Sequence, residues 1–392
     1  MRNDFDMKVY FDNAATTKIL PEAAEFMVNV MLEKYGNPSS ASVMGIEAEE
    51  VLKDSAKKIA SLINASEEEI YFTSGGTESD NWAVFGTAEG YVRSGKHMLY
   101  TSVEHPAINA PFEIIKEKGF EAEKIPVDSK GYIDIDSLKR LIRKGTIFVG
   151  VILVNNETGT IQDIEAIGRA IKEVNPNAVF HVDAVQAFGK YKIDVNKCHI
   201  DTMAASAHKF NGPRGCGIFY MRKGLKVKPI IYGGGQQKNQ WPGTENVPGA
   251  AATALAACES YRNIESDSEK VREIKRLLCE RILNEIPDTF INGDSVEKAS
   301  PYVLNVGFMG LRSEVLLHAL EADEIFVSAG SACNSKKNVQ SAVLSAMGKT
   351  ADEIEGSIRF SFSRFNTIEE AEYCFEKLKS AVSVLRRFNR KR

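Results

Sequence analysis

The sequence predicts an α/β protein in which helices cover a mostly parallel sheet, and three observations support this fold class. Short apolar runs rich in β-branched and aromatic residues alternate with longer amphipathic stretches, a pattern typical of buried strands and their covering helices. The chain of 392 residues is longer than one hydrophobic core usually serves. No internal repeat or Pro/Gly-rich linker interrupts it, so two closely packed domains are expected.

The first part of the chain carries the strands of the predicted large sheet. Two stretches, 47–63 before the first of these strands and 164–174 between two of them, have apolar residues at helical spacing, as covering helices do. The strands themselves are predicted from short apolar runs of strand length. They span residues 70–73, 98–101, 146–154, 179–183, 202–205 and 217–221.

The residue pattern of the sequence changes after about residue 249. A long helical stretch at 250–286, broken near 263–267, is expected to bridge two domains. The elements after it are typical of a small α+β domain: strands at 302–308, 325–328 and 358–363, and helices at 313–322, 339–347 and 368–385. The predicted domains are a large one at 15–260 and a small one formed by 1–14 and 261–392.

Composition argues against several classes of partner. The formal net charge of −4 gives no attraction to nucleic acid or to anionic membranes, so neither is expected as a partner. The basic end of the chain, 386–392, is expected to be a solvated tail, with docking to an acidic partner as the alternative. Six cysteines without CxxC pairs predict neither a disulfide framework nor a metal site. Without a signal-like N-terminus or a long apolar run, a cytoplasmic location is expected.

Three strand-end motifs carry the residues expected to do chemistry. The glycine-rich turn at 74–79 precedes a helix, whose N-terminus favours a phosphate, although an ordinary strand-to-helix connection would look the same. Asp183 ends an apolar strand, where a buried carboxylate needs a partner such as a pyridinium nitrogen; a helix cap or a structural ion pair is the alternative. Lys209 follows the next strand and can form an imine with an aldehyde cofactor. Their joint occurrence favours a pyridoxal phosphate (PLP) site.

Two histidines also follow strands and are candidates for the same site. His105 comes directly after one predicted strand, and His208 lies beside Lys209. A histidine can stack on an aromatic cofactor or transfer protons near neutral pH. A structural histidine with satisfied hydrogen bonds is the alternative.

At these motifs the chain resembles the class V aminotransferases, and within them the cysteine desulfurases of the NifS/IscS type, over nearly its whole length. The resemblance implies a PLP-dependent transferase of fold type I, similar to aspartate aminotransferase. It rests on residues 12–17, 36–40, 73–81, 154–159, 181–186, 206–209 and 328–335.

The resemblance implies a role for each matching position. Lys209 would form the internal aldimine, Asp183 would pair with the pyridine nitrogen, and Gln186 would reach the ring hydroxyl. His105 would stack on the ring and carry a proton. The phosphate would be held by Gly76, Thr77, Ser206, His208 and, across the interface of a homodimer, Thr244. The substrate would be bound by Asn13, Asn156 and Arg359, of which Asn156 would also contact the cofactor.

The segment 328–335 places a lone thiol, Cys333, among small residues, which permit a loop to swing over a cofactor. Composition alone leaves an inert thiol as the alternative, whereas the similarity to the family's SSGSACTS word favours a nucleophile. The resemblance then implies that L-cysteine becomes L-alanine through a PLP aldimine and a carbanion. The sulfur would be captured as a persulfide on Cys333 and passed to an acceptor protein for iron–sulfur clusters, a thio-cofactor or tRNA thiolation.

The chain departs from the family at 241–244, where Trp-Pro-Gly-Thr replaces Arg-Ser-Gly-Thr. An indole shares the planar face of a guanidinium but not its charge. Either substrate binding or rate is changed, or Trp241 packs at the subunit interface and another group compensates. The alternative functions are a selenocysteine lyase, a class V aminotransferase acting on another amino acid, and a catalytically weak PLP-binding scaffold protein.

Overall fold

A computed structural model describes residues 7–329 and 340–389 of the chain. Residues 7–221 form eight strands. They are β1 (Val9–Tyr10), β2 (Ile70–Thr73), β3 (His97–Thr101), β4 (Glu121–Ile125), β5 (Thr146–Ile152), β6 (Val179–Asp183), β7 (Thr202–Ser206) and β8 (Gly217–Met221).

Strands β2 to β8 form one seven-stranded sheet in the order β2-β8-β7-β6-β5-β3-β4. Strand β8 is antiparallel to both neighbours, and the other pairs are parallel. Every residue of β3, β5, β6, β7 and β8 is buried, which explains their continuous apolar runs. The predicted α/β class with a mostly parallel sheet is confirmed.

Helices cover the sheet, and α6 (Ile164–Val174) illustrates how the sequence forms them. Asp163 caps this helix by accepting from the Ala166 N–H, while Ile164, Ile167 and Ile171 lie buried on one face. The short segment α7 (Gln236–Asn239) is irregular, because Gln237 and Lys238 have left-handed backbone angles. The helices of this part are α1 (Pro21–Glu33), α2 (Val43–Leu62), α3 (Gly76–Tyr91), α4 (Pro106–Glu117), α5 (Ile135–Leu141), α6 (Ile164–Val174), α7 (Gln236–Asn239) and α8 (Val247–Arg262).

The described residues of the second part of the chain form five strands, four of which build an antiparallel sheet, together with further helices. The strands are β9 (Thr289–Asn292), β10 (Val303–Phe308), β11 (Ile325–Phe326), β12 (Ser328–Ala329) and β13 (Ser357–Ser361), and the sheet order is β12-β13-β10-β9. The helices are α9 (Ile264–Glu285), α10 (Ser313–Glu321), α11 (Ala342–Ala346), α12 (Ala351–Glu355) and α13 (Ile368–Asn389).

The single strand predicted at 325–328 is wrong, because the chain there forms two strands of different sheets. Ile325 pairs with Val9 in a parallel two-stranded sheet, whereas Ser328 pairs with Arg359 in the antiparallel sheet. The helix predicted at 339–347 is observed as the shorter α11, because Ser341 caps it by accepting a hydrogen bond from the Leu344 N–H. Residue 339 lies outside the described residues.

The apolar cores follow the two sheets. One buried cluster joins Val9 and Phe11 to side chains of α9, β10, α10 and α13, while two other clusters include residues of the large sheet. Helices α8 and α9 meet at Asn263, within the predicted break. The domain boundaries given above stay a prediction.

The described part of the chain contains no helix long and apolar enough to cross a membrane. Its cysteines are all free, so they form no disulfide with one another: Cys198, Cys216, Cys258, Cys279 and Cys374. The cytoplasmic location stays a prediction.

Candidate active site

The carboxyl ends of β5, β6 and β7 border a cavity of about 460 Å³, a volume typical of ligand sites. Parallel α/β sheets place their ligands at this edge. Ten residues that the sequence predicted for one site line this cavity: Gly76, Thr77, His105, Asn156, Asp183, Gln186, Ser206, His208, Lys209 and Arg359.

One end of the cavity continues into an open lobe at the N-terminus of α3. Gly76 begins this helix, and a Cβ at Gly76 would lie 2.4 Å from Cγ2 of Val185, so only glycine fits there. Ser206 and His208 line the lobe, together with Arg214, a cation that the sequence reasoning did not select. Helix N–H groups, a hydroxyl and a guanidinium around one space suit a phosphate.

Asp183 is the last residue of β6 and is buried. Its Oδ1 accepts a hydrogen bond of 2.9 Å from the Val185 N–H. Burial raises the pKa of Asp183 to about 8, and the negative charge of Asp80 adds to this rise. The carboxyl group is therefore neutral at pH 7 unless a cation binds against it.

Two further buried carboxyl groups line the cavity beside Asp183. Burial raises the pKa of Asp80 well above its ordinary value, and burial followed by the charge of Asp183 raises the pKa of Glu104 to about 8. Oε1 of Glu104 accepts from the Thr101 hydroxyl and the Ile152 N–H, both at 2.6 Å. The sequence reasoning missed both groups, although Glu104 directly precedes His105.

Lys209 ends a short 3₁₀ turn that follows β7. Its Nζ donates to the carbonyl oxygens of Ala14 and Ala15, both at 2.6 Å. Residues near the start of the chain thereby hold the amine at the cavity. Beside it, burial and then the charge of Lys209 lower the pKa of His208 to about 4.

His105 caps α4 with its ring. Its Nδ1 accepts from the Ala107 N–H at 3.1 Å. Burial, followed by the charges of Lys209 and Arg359, lowers the pKa of His105 to about 4. The ring is therefore neutral at pH 7, with its proton on Nε2, and can stack on another ring or donate one hydrogen bond.

Arg359 lies in the middle of β13 and is held from two sides. Its Nη2 donates to Asp12 Oδ1 at 2.8 Å, and its Nη1 donates to the Asn156 carbonyl oxygen at 3.1 Å. Arg359 Nε and Asn156 Oδ1 are buried and have no hydrogen-bond partner among the described residues. Such unsatisfied groups at a cavity point to a ligand that completes their hydrogen bonds.

Two predicted site residues, Asn13 and Thr244, do not line the cavity, and a third lies outside the described residues. The Asn13 amide donates to the carbonyl oxygens of Tyr10 and Ser361 and to Asn366 Oδ1, so it is already engaged in structural contacts. Thr244 is exposed. Cys333 lies outside the described residues.

Trp241 is buried by contacts within this chain. Its indole stacks on that of Trp82 with ring centroids 4.7 Å apart, and both residues belong to an apolar cluster beside the large sheet. Where the family sequence has Arg, this chain therefore has a Trp that makes an internal aromatic contact.

Comparison with known proteins identifies the family. Residues 9–374 match the model of the family described as aminotransferase class-V. The chain belongs to the class-V aminotransferase family. The resemblance and the fold class predicted from the sequence are confirmed, and the family to which the chain belongs is PLP-dependent.

Among similar class-V proteins are two named cysteine desulfurase IscS. The one from Methanosarcina thermophila is 41% identical, over 96% of this chain and 93% of its own. The one from Dictyoglomus turgidum is 37% identical, over 97% and 95%. A solved structure described as a NifS-like protein superimposes with a TM-score of 0.91 at 36% identity, covering 97% of this chain and 100% of its own.

Proposed function

We propose that this chain is a cysteine desulfurase that uses PLP to convert L-cysteine into L-alanine and retains the sulfur on Cys333. The observation that carries the proposal is the convergence of the Lys209 amine and the Asp183 carboxyl group on one cavity. The names of the relatives above support the same activity.

The residues present fit PLP. The lobe at Gly76, Thr77, Ser206 and His208 would hold the phosphate, and Lys209 would bind the aldehyde carbon. Asp183 has a neutral, buried carboxyl group that a pyridinium nitrogen would ionise. Bound there, PLP supplies an electron sink for negative charge at the substrate α-carbon.

Other residues of the chain would bind the substrate and transfer protons. Arg359 Nε and Asn156 Oδ1 have no partner among the described residues. Arg359 Nε would donate to the substrate's carboxylate, and Asn156 Oδ1 would accept from one of its polar N–H groups. Lys209 Nζ would take the α-proton of the substrate. The His105 imidazole has its proton on Nε2. It would stack on the cofactor ring and donate that proton.

The sulfur step is a transfer between two thiols. The Cys333 thiolate attacks the substrate sulfur, the carbon–sulfur bond breaks with its electron pair left on carbon, and a sulfur–sulfur bond forms. One L-cysteine and one enzyme thiol give one L-alanine and one enzyme persulfide. An acceptor protein for iron–sulfur clusters or thiolation would receive the outer sulfur.

A homodimer would complete the phosphate lobe. Apolar side chains lie exposed along α1, in the segment that follows it and at the start of α2, and an exposed apolar patch of this kind marks an interaction surface. A second copy would cover it and bring its own Thr244, exposed here, to this lobe. The exposed side chains are Val28, Met31, Leu32, Tyr35 and Val43.

The test measures alanine and sulfide released from L-cysteine in the presence of a thiol reductant. Three PLP-loaded proteins are compared: the wild type, Cys333→Ala, and Cys198→Ala as a control thiol that does not line the cavity. We expect equal amounts of both products from the wild type and Cys198→Ala, and none from Cys333→Ala. Full turnover by Cys333→Ala, or faster turnover of selenocysteine or another amino acid than of cysteine, would overturn the assignment.

A further inference from the structure

Lys190 is a buried lysine to which the proposed mechanism gives no task. It lies in the turn after β6 and is 8% exposed. Its Nζ donates to Gln186 Oε1 at 3.3 Å and lies 5.2 Å from the centre of the Tyr302 ring. Within residues 7–329 and 340–389, it forms no ion pair with a carboxylate. Charging a buried amine of this kind costs stability, so its presence calls for a functional reason.

The hydrogen bonds of Gln186 supply that reason. Its Oε1 accepts from Lys190, and its Nε2 donates to the Ala14 carbonyl oxygen at 2.9 Å. A flipped amide would place its oxygen against the Ala14 oxygen and its NH₂ group against the Lys190 amine. Two contacts therefore fix one orientation. The Nε2 group has a second proton, which remains for a ligand.

We propose that Lys190 is a positioning residue, which holds the Gln186 carboxamide so that its remaining N–H faces an oxygen acceptor of the bound ligand. In PLP that acceptor is the ring hydroxyl oxygen. The inference rests on the proposed cofactor but not on the proposed substrate.

The surroundings of Lys190 also connect it to Lys209. Both lysines line a small cleft together with Tyr302 and the ion pair formed by Asp267 and Arg364. Burial and then the charge of Lys209 lower the pKa of Lys190 to about 7, and Lys190 in turn contributes to lowering the pKa of His208. A proton on Lys190 therefore disfavours a proton on the nitrogen of Lys209.

The test variant is Lys190→Met, which keeps length and removes the donor. Lys192→Met is the control, since Lys192 is exposed and pairs with Glu265. We expect Lys190→Met to bind PLP about ten-fold more weakly, as for loss of a hydrogen bond. The pH midpoint of the bound cofactor's absorption change should rise by about one unit, while the cofactor-free protein melts at the same temperature or higher.

A double-variant cycle separates positioning from packing. If Lys190 acts through Gln186, then Lys190→Met in a Gln186→Leu background changes PLP affinity by less than two-fold, about the limit of independent effects. Additive losses would overturn the proposal, and so would wild-type affinity and midpoint in Lys190→Met. Failure of the wild type to bind PLP at all would instead overturn the proposed function.

Discussion

Two sets of ionisable groups lie in the cavity and in the small cleft beside it, and burial shifts their pKa values in opposite directions. The acidic set is Asp80, Glu104 and Asp183, and the basic set is Lys190, His208 and Lys209. Burial raises the pKa of every member of the acidic set, whereas it lowers the pKa of Lys190 and of His208. Desolvation disfavours the charged form of either kind.

The difference teaches what the site is prepared to bind. Burial favours the neutral forms in both sets, those of the three acidic groups and those of Lys190 and His208, in the protein without ligand. A ligand with a cationic ring nitrogen at the acidic set and an anionic phosphate near His208 would restore charge to both. The arrangement lowers stability without ligand and raises affinity for such a ligand.

The largest expected effect comes from breaking the basic set at Lys209. Lys209→Ala removes the group proposed to bind the cofactor and to take the α-proton, so alanine release from L-cysteine should fall at least about a thousand-fold. Lys192→Ala, at an exposed lysine, should keep wild-type turnover. Comparable rates for the two variants would contradict the assignment of Lys209.

The acidic set is tested through the pH dependence of stability. Asp183 has a raised pKa, about 8 against an ordinary 3.8, so the folded state keeps a proton that the unfolded state has lost between these values. The stability of the cofactor-free wild type therefore falls with rising pH relative to Asp183→Asn. We expect a difference growing by up to about 1.4 kcal/mol per pH unit from pH 4 to 8.

Denaturant unfolding of both cofactor-free proteins at several pH values measures this difference. A difference that is the same at pH 4 and pH 8 would show that Asp183 is ionised in the fold throughout, and the acidic set would not be discharged as described.

The basic set should give the opposite slope. Lys190 has a lowered pKa, about 7 against an ordinary 10.5, so the unfolded state binds more protons between these values. Wild-type stability relative to Lys190→Met should therefore rise with pH over this window, by up to about 1.4 kcal/mol per unit. Denaturant unfolding checks it, and a slope of the same sign as for Asp183 would break the comparison.

The smallest expected effect lies outside both sets, at Trp241. Trp241→Phe keeps an aromatic ring against Trp82 but leaves part of the space unfilled, so the free energy of unfolding should fall by about 1 kcal/mol. Turnover should stay within about two-fold of wild type, because Trp241 does not line the cavity. A large loss of turnover at unchanged stability would return Trp241 to a role at the active site.

Local sequence predicted the bounds of strands β2, β6 and β8. Strands β6 and β8 are buried throughout, and a strand covered on both faces reads as an uninterrupted apolar run. The edge strand β2 is mostly apolar as well, with only Phe72 partly exposed. The half-exposed edge strand β4 and helix α1 were not predicted. Edge elements carry mixed residues, and their pairing depends on a neighbour elsewhere in the chain.

For the site, the sequence by itself placed Asp183 at the end of a strand and Lys209 and His105 after strands, and parallel strands bring such positions to one edge. Only the tertiary structure decided that Glu104 and Asp80 join Asp183, that Lys190 holds Gln186, that Asn13 is engaged away from the cavity and that Trp241 stacks on Trp82. These contacts join residues distant in sequence, and their protonation depends on burial. Neither property exists before the chain has folded.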